Sequence, residues 1–281
     1  MNQSPPILFD YSRLNSRIAR ARKIGAPDAG FLAKIAAEEI AGRIAVTNRE
    51  FQSAIDLFST TSDLSALLQE ARPGLSIRQL RDNTGSGSRD ALAQPTECAD
   101  LAVSVFGLHW CNDLPGTLNQ ISNLLVPDGL FMAVIPGQGT LKELRQSILA
   151  VESRLVSGAA VRVDPFAEVK QVGSLLQRAN FALPVTDVEE YTLRYEDVGS
   201  LVQELRSMAA TCSLAGERPP LPRDFMKNLE AEYRENFSDP DGKIRATISM
   251  IYMTGWKPHE SQQKPLRPGS ARQSLKNVLK T

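Results

Sequence analysis

Cysteine, histidine and any surplus of one charge are all scarce in this chain of 281 residues. Cys98, Cys111 and Cys212 stand far apart with no Cys-x-x-Cys pair, which argues against a disulfide framework or a zinc knuckle and suits a reducing compartment. Lys+Arg and Asp+Glu balance at 32 each, so net charge gives no reason to expect a nucleic-acid partner. No apolar run approaches the roughly 18 residues of a membrane span, and the first residues lack the apolar core of a signal peptide. The expectation is a cytoplasmic protein without a transmembrane segment. Glycine is also missing from one particular place, the stretch "SAIDLFSTTSDL" at 53–64, where Asp56 ends an apolar run and Phe58, Ser59, Thr60, Thr61 and Ser62 follow.

What is present is an apolar fraction of 42%, enough for a sizeable core. Leu14, Ile18 and Ala21 recur at helix spacing, and after Gly25 and Pro27 a second helix is expected, capped by Asp28 and carrying Phe31, Leu32, Ile35, Ile40 and Ile44. Strands and helices then alternate. "SAIDL" reads as a short strand, "DLSALLQEA" as a helix capped by Asp63, and "LSIRQL" as a weaker strand. Residues 82–99 are rich in Gly, Ser, Asn and Pro and read as a loop or a very short strand. "DLAVSVF" and "DGLFMAVI" have the continuous apolar character of strands buried on both faces, with the helix "LPGTLNQISNLLVP" between them. Further helices are expected over 140–155, 168–181, 197–210 and 222–237, an alternating strand over 185–196, and a late antiparallel strand in "KIRATISMIYMTGW" at 243–256.

The arginine-rich segment "DYSRLNSRIARARK" sets five cations against one acid, and the tail from Lys264 to Lys280 is basic as well. Both read as solvated surface or as a docking face for an acidic partner or a membrane edge.

This element order, with "LLVPDGLFMAVIPG" at 124–137 as a turn into a central strand, resembles the class I S-adenosylmethionine (SAM) methyltransferases. Longer strings narrow the resemblance. "FDYSRLNSRIARAR", "SVFGLHWCNDLPGTLNQI", "GTLKELRQSI", "LLQRANFALPVTD" and "ATISMIYMTGWKPHESQQKPLRPGSA" are similar to the family of respiratory complex I (NADH:ubiquinone oxidoreductase) assembly factor 5 and its bacterial relatives. The resemblance implies an α/β, Rossmann-like fold with a mostly parallel sheet and a late antiparallel strand. It divides the chain into an N-terminal helical cap (1–50), a methyltransferase-like domain (51–256) with a helical insertion near 197–240, and a basic tail (257–281), and it makes the arginine-rich start part of the domain.

The implied function is methyl transfer from SAM to a protein or small acceptor. The alternatives are arginine hydroxylation of a complex I subunit, or a catalytically silent relative that binds a partner through its helical annex and tail. A neighbouring group methylates malonyl carrier protein. Peripheral membrane contact is compatible with each.

The residues that map to the superfamily's cofactor motif are Asp56 and the former glycine positions Phe58, Thr60 and Ser62, with Asp82 as the ribose acid and Asp90 on the adenine side. Those glycines ordinarily permit backbone angles that a β-carbon resists and let the ligand pass against bare main chain. Their loss weakens the expectation of SAM binding, although a Ser/Thr turn can still offer amides to an anion. His109, Trp110, Asn112 and Asp113 follow a central strand and are expected on the acceptor side, with capping of the next helix by Asn112 or Asp113 as the competing role. No nucleophile is singled out, so the catalytic group is unassigned. With His109 and His259 the only histidines, an iron site of two histidines and a carboxylate would need both to converge, and no metal is expected.

Overall fold

The computed structural model describes residues 7–24, 30–80, 88–155 and 160–263. Asp28, Asp82 and the tail from Lys264 onward lie outside the described residues. Six strands form one sheet: β1 (Ser53–Leu57), β2 (Ser76–Leu80), β3 (Ala99–Val105), β4 (Leu125–Pro136), β5 (Ala182–Tyr195) and β6 (Ile244–Trp256). Their order is β2-β1-β3-β4-β6-β5, with β6 running antiparallel to both its neighbours and the other pairings parallel. This is the Rossmann-like arrangement of class I methyltransferases, a parallel sheet interrupted by a single late reversed strand.

The helices among the described residues are α1 (Tyr11–Ile24), α2 (Phe31–Val46), α3 (Asp63–Ala71), α4 (Leu114–Leu124), α5 (Lys142–Leu155), α6 (Val169–Arg178), α7 (Val198–Ser207) and α8 (Phe225–Phe237). They cover both faces because successive residues of β3 and β4 are apolar and point to opposite sides. Leu101, Val103 and Val105 join Ile40, Ile44, Leu64, Leu144 and Leu229 in one core, whereas Ala102, Phe131 and Ala133 join Leu118, Ile121 and Leu176 in the other. Fully enclosed residues such as Ile40, Ile44 and Phe131 each contribute about 1.5–3 kcal/mol through the apolar area they remove from water.

Local details differ from the expected caps. Ser62 occupies the N-cap position of α3 and Asp63 is its first residue, placing a carboxylate against the positive end of the helix. The strand β4 begins at Leu125, before the expected start at Asp128, and Glu97 and Cys98 donate their backbone N–H groups to the carbonyls of Asn123 and Leu124 at this helix-to-strand change. α6 stops at Arg178, with Asn180 in the left-handed region at φ 61°.

A third, smaller apolar cluster joins the chain's first described residues to the sheet. Phe9, Leu14, Trp110, Cys212 and Leu214 pack together, and Phe9 pairs with Leu214 in an antiparallel bridge. The side chain of Asn112 secures this strap: its Oδ1 accepts the N–H groups of Leu8 and Phe9, both at 2.7 Å, and its Nδ2 donates to the carbonyl of Phe9 at 3.2 Å. No helix among the described residues is long and apolar enough to cross a membrane.

Candidate functional site

The carboxyl ends of β1, β3 and β4 open into a cavity of about 400 Å³. Its walls are aromatic, from Phe58, Phe106, Trp110 and Phe166, with Ser59, Thr60, Arg89, His109, Thr140 and Asp164 as the polar lining. Ile18, Ala21 and Arg22 of α1 and the segment Leu205–Ala210 complete the enclosure. An open α/β sheet places ligands at this edge, where neighbouring strands send their connections to different sides.

Backbone strain gathers here. Of nine non-glycine residues at positive φ among the described residues, four line the cavity: Phe58 (57°), Phe106 (49°), Leu141 (55°) and Ala209 (57°). Each such residue costs on the order of 1–3 kcal/mol and persists only where its surroundings hold it.

The turn after β1 is closed on itself. Phe58 is 8% exposed and packs with Ile55, Leu57, Leu92 and Leu108. Its N–H donates to the carbonyl of Leu80 at 3.0 Å, and that of Thr60 donates to the carbonyl of Val105 at 3.0 Å. Ser59 Oγ accepts from the Val105 N–H at 2.9 Å, and Ser104 Oγ donates to the Leu57 carbonyl at 2.6 Å. Arg89 fills the adjoining space: its Nη1 donates to the Gly107 carbonyl at 2.6 Å, and its guanidinium lies 5.5 Å from the Phe58 ring centre and 5.1 Å from that of Trp110. A β-carbon at Gly107 would stand 2.6 Å from the carbonyl oxygens of both Leu57 and Phe58, so the turns after β1 and β3 are pressed together. Gly107→Ala is therefore expected to destabilise the fold by about 1–2 kcal/mol, read from the urea midpoint; an unchanged midpoint would show that the two turns part easily.

These observations bear on SAM directly. The superfamily's turn leaves amides and open space for the amino-acid end of the cofactor, whereas here the amides of Phe58 and Thr60 donate to neighbouring carbonyls and Phe58 and Arg89 line the cavity beside them. Those two amides are therefore not free to meet the amino-acid end of SAM in that manner.

Asp56 is buried at the end of β1, 3% exposed. Asp90 accepts from Tyr11 Oη at 2.7 Å and from the Asp113 N–H at 2.8 Å. Burial, followed by this bond to Asp90, raises the Tyr11 phenol above its ordinary range. Asp113 is the N-cap of α4, accepting from the Gly116 N–H at 2.9 Å, while Asn112 fastens the strap described above.

His109 and Trp110 line the cavity, their rings 3.9 Å apart. His109 Nδ1 and Trp110 Nε1 are buried without a hydrogen-bond partner. Burial, with a smaller effect from the charge of Arg89, pushes the His109 imidazole down to about 3, so it is neutral at physiological pH. His259 is elsewhere, exposed and bonded to Ser261 Oγ at 2.7 Å. No group of three or more His, Cys, Asp or Glu side chains among the described residues is arranged to hold a metal ion.

Arg89 and Asp164 line the cavity without having been marked by any motif. Arg89 stands beside Asp90 in "SRDALAQ", but nothing in that string tells which of the two side chains turns inward. Asp164 accepts from the Ser213 N–H at 2.9 Å and ties the cavity to the segment beneath the strap.

No family model matches the chain. Among curated proteins it is 40% identical over 172 residues to the arginine-hydroxylase NDUFAF5, mitochondrial, of Homo sapiens, a match covering 61% of this chain and 50% of that protein. It is 37% identical over 181 residues to the protein of the same name from Danio rerio, covering 64% and 56%. With the malonyl-[acyl-carrier protein] O-methyltransferase of Gallionella capsiferriformans it shares 36% identity over 171 residues, covering 60% and 56%. The chain thus spans about half the length of the curated relatives it matches. Among solved structures, YcgJ from Bacillus subtilis aligns with a TM-score of 0.46 at 10% identity over 79% of this chain and 98% of that one. A phosphoethanolamine N-methyltransferase from Haemonchus contortus aligns with a TM-score of 0.42 at 11% identity, covering 79% and 52%. The chain is a homologue of proteins named arginine-hydroxylase NDUFAF5 and malonyl-[acyl-carrier protein] O-methyltransferase, on a sheet with the class I methyltransferase strand order.

Proposed function

We propose that this protein is a methyltransferase-fold modification factor of the complex I assembly kind, taking an arginine side chain of a protein partner into the enclosed cavity at the sheet's carboxyl edge. The observation that carries this reading is the strained, aromatic-walled cavity at the sheet's carboxyl edge, whose lining also includes Phe58, Ser59, Thr60 and Arg89 of the turns beside β1. The cavity's lining suits a long side chain with a polar tip, since Phe106 and Phe166 can flank an aliphatic stem and Asp164 offers a carboxylate, while the faces of Phe58 and Trp110 are taken by Arg89. Its relatives named arginine-hydroxylase, at 37–40% identity, support the same choice of acceptor.

Methyl transfer from SAM to a protein or small acceptor is the second reading, favoured by the strand order and by the relative named malonyl-[acyl-carrier protein] O-methyltransferase. When bound, SAM would supply the methyl group; of the acids that the resemblance maps to its site, Asp56 and Asp90 lie among the described residues and Asp82 lies outside them.

Mass spectrometry of complex I subunits from cells lacking the gene separates the two. The first reading, in which dioxygen supplies the oxygen atom and an external two-electron reductant carries the other oxygen to water, expects an arginine peptide lighter by one oxygen than in the parent strain. A peptide lighter by one methylene supports the second, and unchanged masses throughout would sink both. Calorimetric titration of the purified chain with SAM is expected to give no heat at millimolar ligand, and micromolar binding would reverse the preference.

A further inference from the structure

Three arginines crowd together beside the cavity without a matching set of acids. Arg13 and Arg17 project from α1, and Arg218 comes from the segment that pairs with the strap. Arg13 donates to the carbonyls of Leu214 and Gly216, the latter at 3.1 Å. Arg17 Nη1 donates to the carbonyls of Thr211 and Cys212 and to Ser213 Oγ. Arg218 reaches the same acceptors, Cys212 at 3.4 Å and Leu214 at 2.9 Å. Two carbonyls are each shared by two guanidinium groups, which brings three positive charges into one small region.

Little among the described residues offsets them. Asp10 lies 3.7 Å from Arg13, and no carboxylate among the described residues comes within ion-pair distance of Arg17 or Arg218. Asp164 faces Arg17 from farther away, with one oxygen already accepting from the Ser213 N–H. The guanidinium of Arg17 is held below its ordinary value, by burial first and also by the charges of Arg218 and Arg13. Donors remain open. Arg17 uses only Nη1, leaving Nε and Nη2, and Arg218 leaves Nε; none of these atoms is sealed from solvent.

We propose that Arg13, Arg17 and Arg218 form a binding site for a phosphate-type oxyanion, either inorganic phosphate or a phosphomonoester. Planar guanidinium forks match phosphate oxygens in geometry, and a dianion neutralises the charge that the carbonyls only solvate. Because the arginines come from both sides of the seam between α1 and residues 211–218, an anion there fastens α1 over the cavity. The site is independent of which chemistry the cavity performs.

The test is binding of inorganic phosphate and of glycerol 3-phosphate to the full chain, by calorimetry and thermal shift, against chloride at matched ionic strength. The expected result is a phosphate-specific rise in midpoint, with affinity falling at least about tenfold in Arg17→Gln/Arg218→Gln. Arg218→Gln alone retains the Arg13 and Arg17 contacts that hold α1, so it guards against misfolding; it is expected to lose about threefold. Binding of the ester as tightly as the free ion identifies a phosphomonoester as the ligand, and binding of the free ion alone identifies phosphate. An equal response to chloride, an unchanged affinity in the double variant, or no binding of either probe would overturn the site.

Discussion

Phe58→Gly is expected to destabilise the protein by about 3 kcal/mol even though it puts glycine back where the superfamily has it. Removing a buried phenyl ring costs about 3–5 kcal/mol, and glycine adds about 0.5–1 kcal/mol of unfolded-state entropy. Relief of the left-handed conformation at φ 57° returns about 1–2 kcal/mol. Loss of packing therefore outweighs relief of strain. Urea denaturation measures the balance, and a variant at least as stable as the parent would show that the ring is not part of the core. The same substitution opens the space beside Arg89, and the double variant Phe58→Gly/Arg89→Ala is expected to gain a thermal shift with SAM that the parent lacks. Failure of the double variant, if folded, to respond would mean that occlusion is not what closes this turn to the cofactor.

Acid is expected to weaken the fold through His109. Its folded value near 3 lies below the ordinary 6.5, so on lowering the pH the unfolded chain takes up a proton that the native chain refuses. Stability that is complete above about pH 6.5 is then lost, at up to about 1.4 kcal/mol per pH unit, until the folded group itself titrates near pH 3. Between pH 6 and pH 4 the contribution of this one residue is about 2 kcal/mol. Carboxylates also titrate in this range, so the measured quantity is the difference in urea midpoints between the parent and His109→Gln across that interval. Identical slopes would show that the imidazole gains its proton without unfolding.

Much of the sheet was legible because its signals are local. "SAIDL", "ADLAVSV" and the late β-branched run became β1, β3 and β6 since apolar residues on both faces leave a strand little choice but the centre of a layered fold. Helix caps were less legible. Ser62 and Asp63, or Asn112 and Asp113, are chemically alike at a cap, and which side chain turns back onto the helix depends on φ and ψ that neighbouring turns impose. Asn112 went to the strap, roughly a hundred residues away in sequence, a contact with no periodicity to betray it.

For the site, the chain's order of residues by itself determined that a glycine-free turn follows β1 and that His109 and Trp110 follow β3, because both are matters of which side chains occupy which positions. Only the tertiary structure decided what those positions contain: the Phe58 ring folded inward, Arg89 brought between two aromatic faces, and α1 with Leu205–Ala210 laid over the opening. The physical reason is one of range. Turn chemistry and apolar alternation act over a few residues, whereas enclosure of a cavity is the sum of weak contacts between segments far apart in sequence, and its outcome follows from how all of them pack at once.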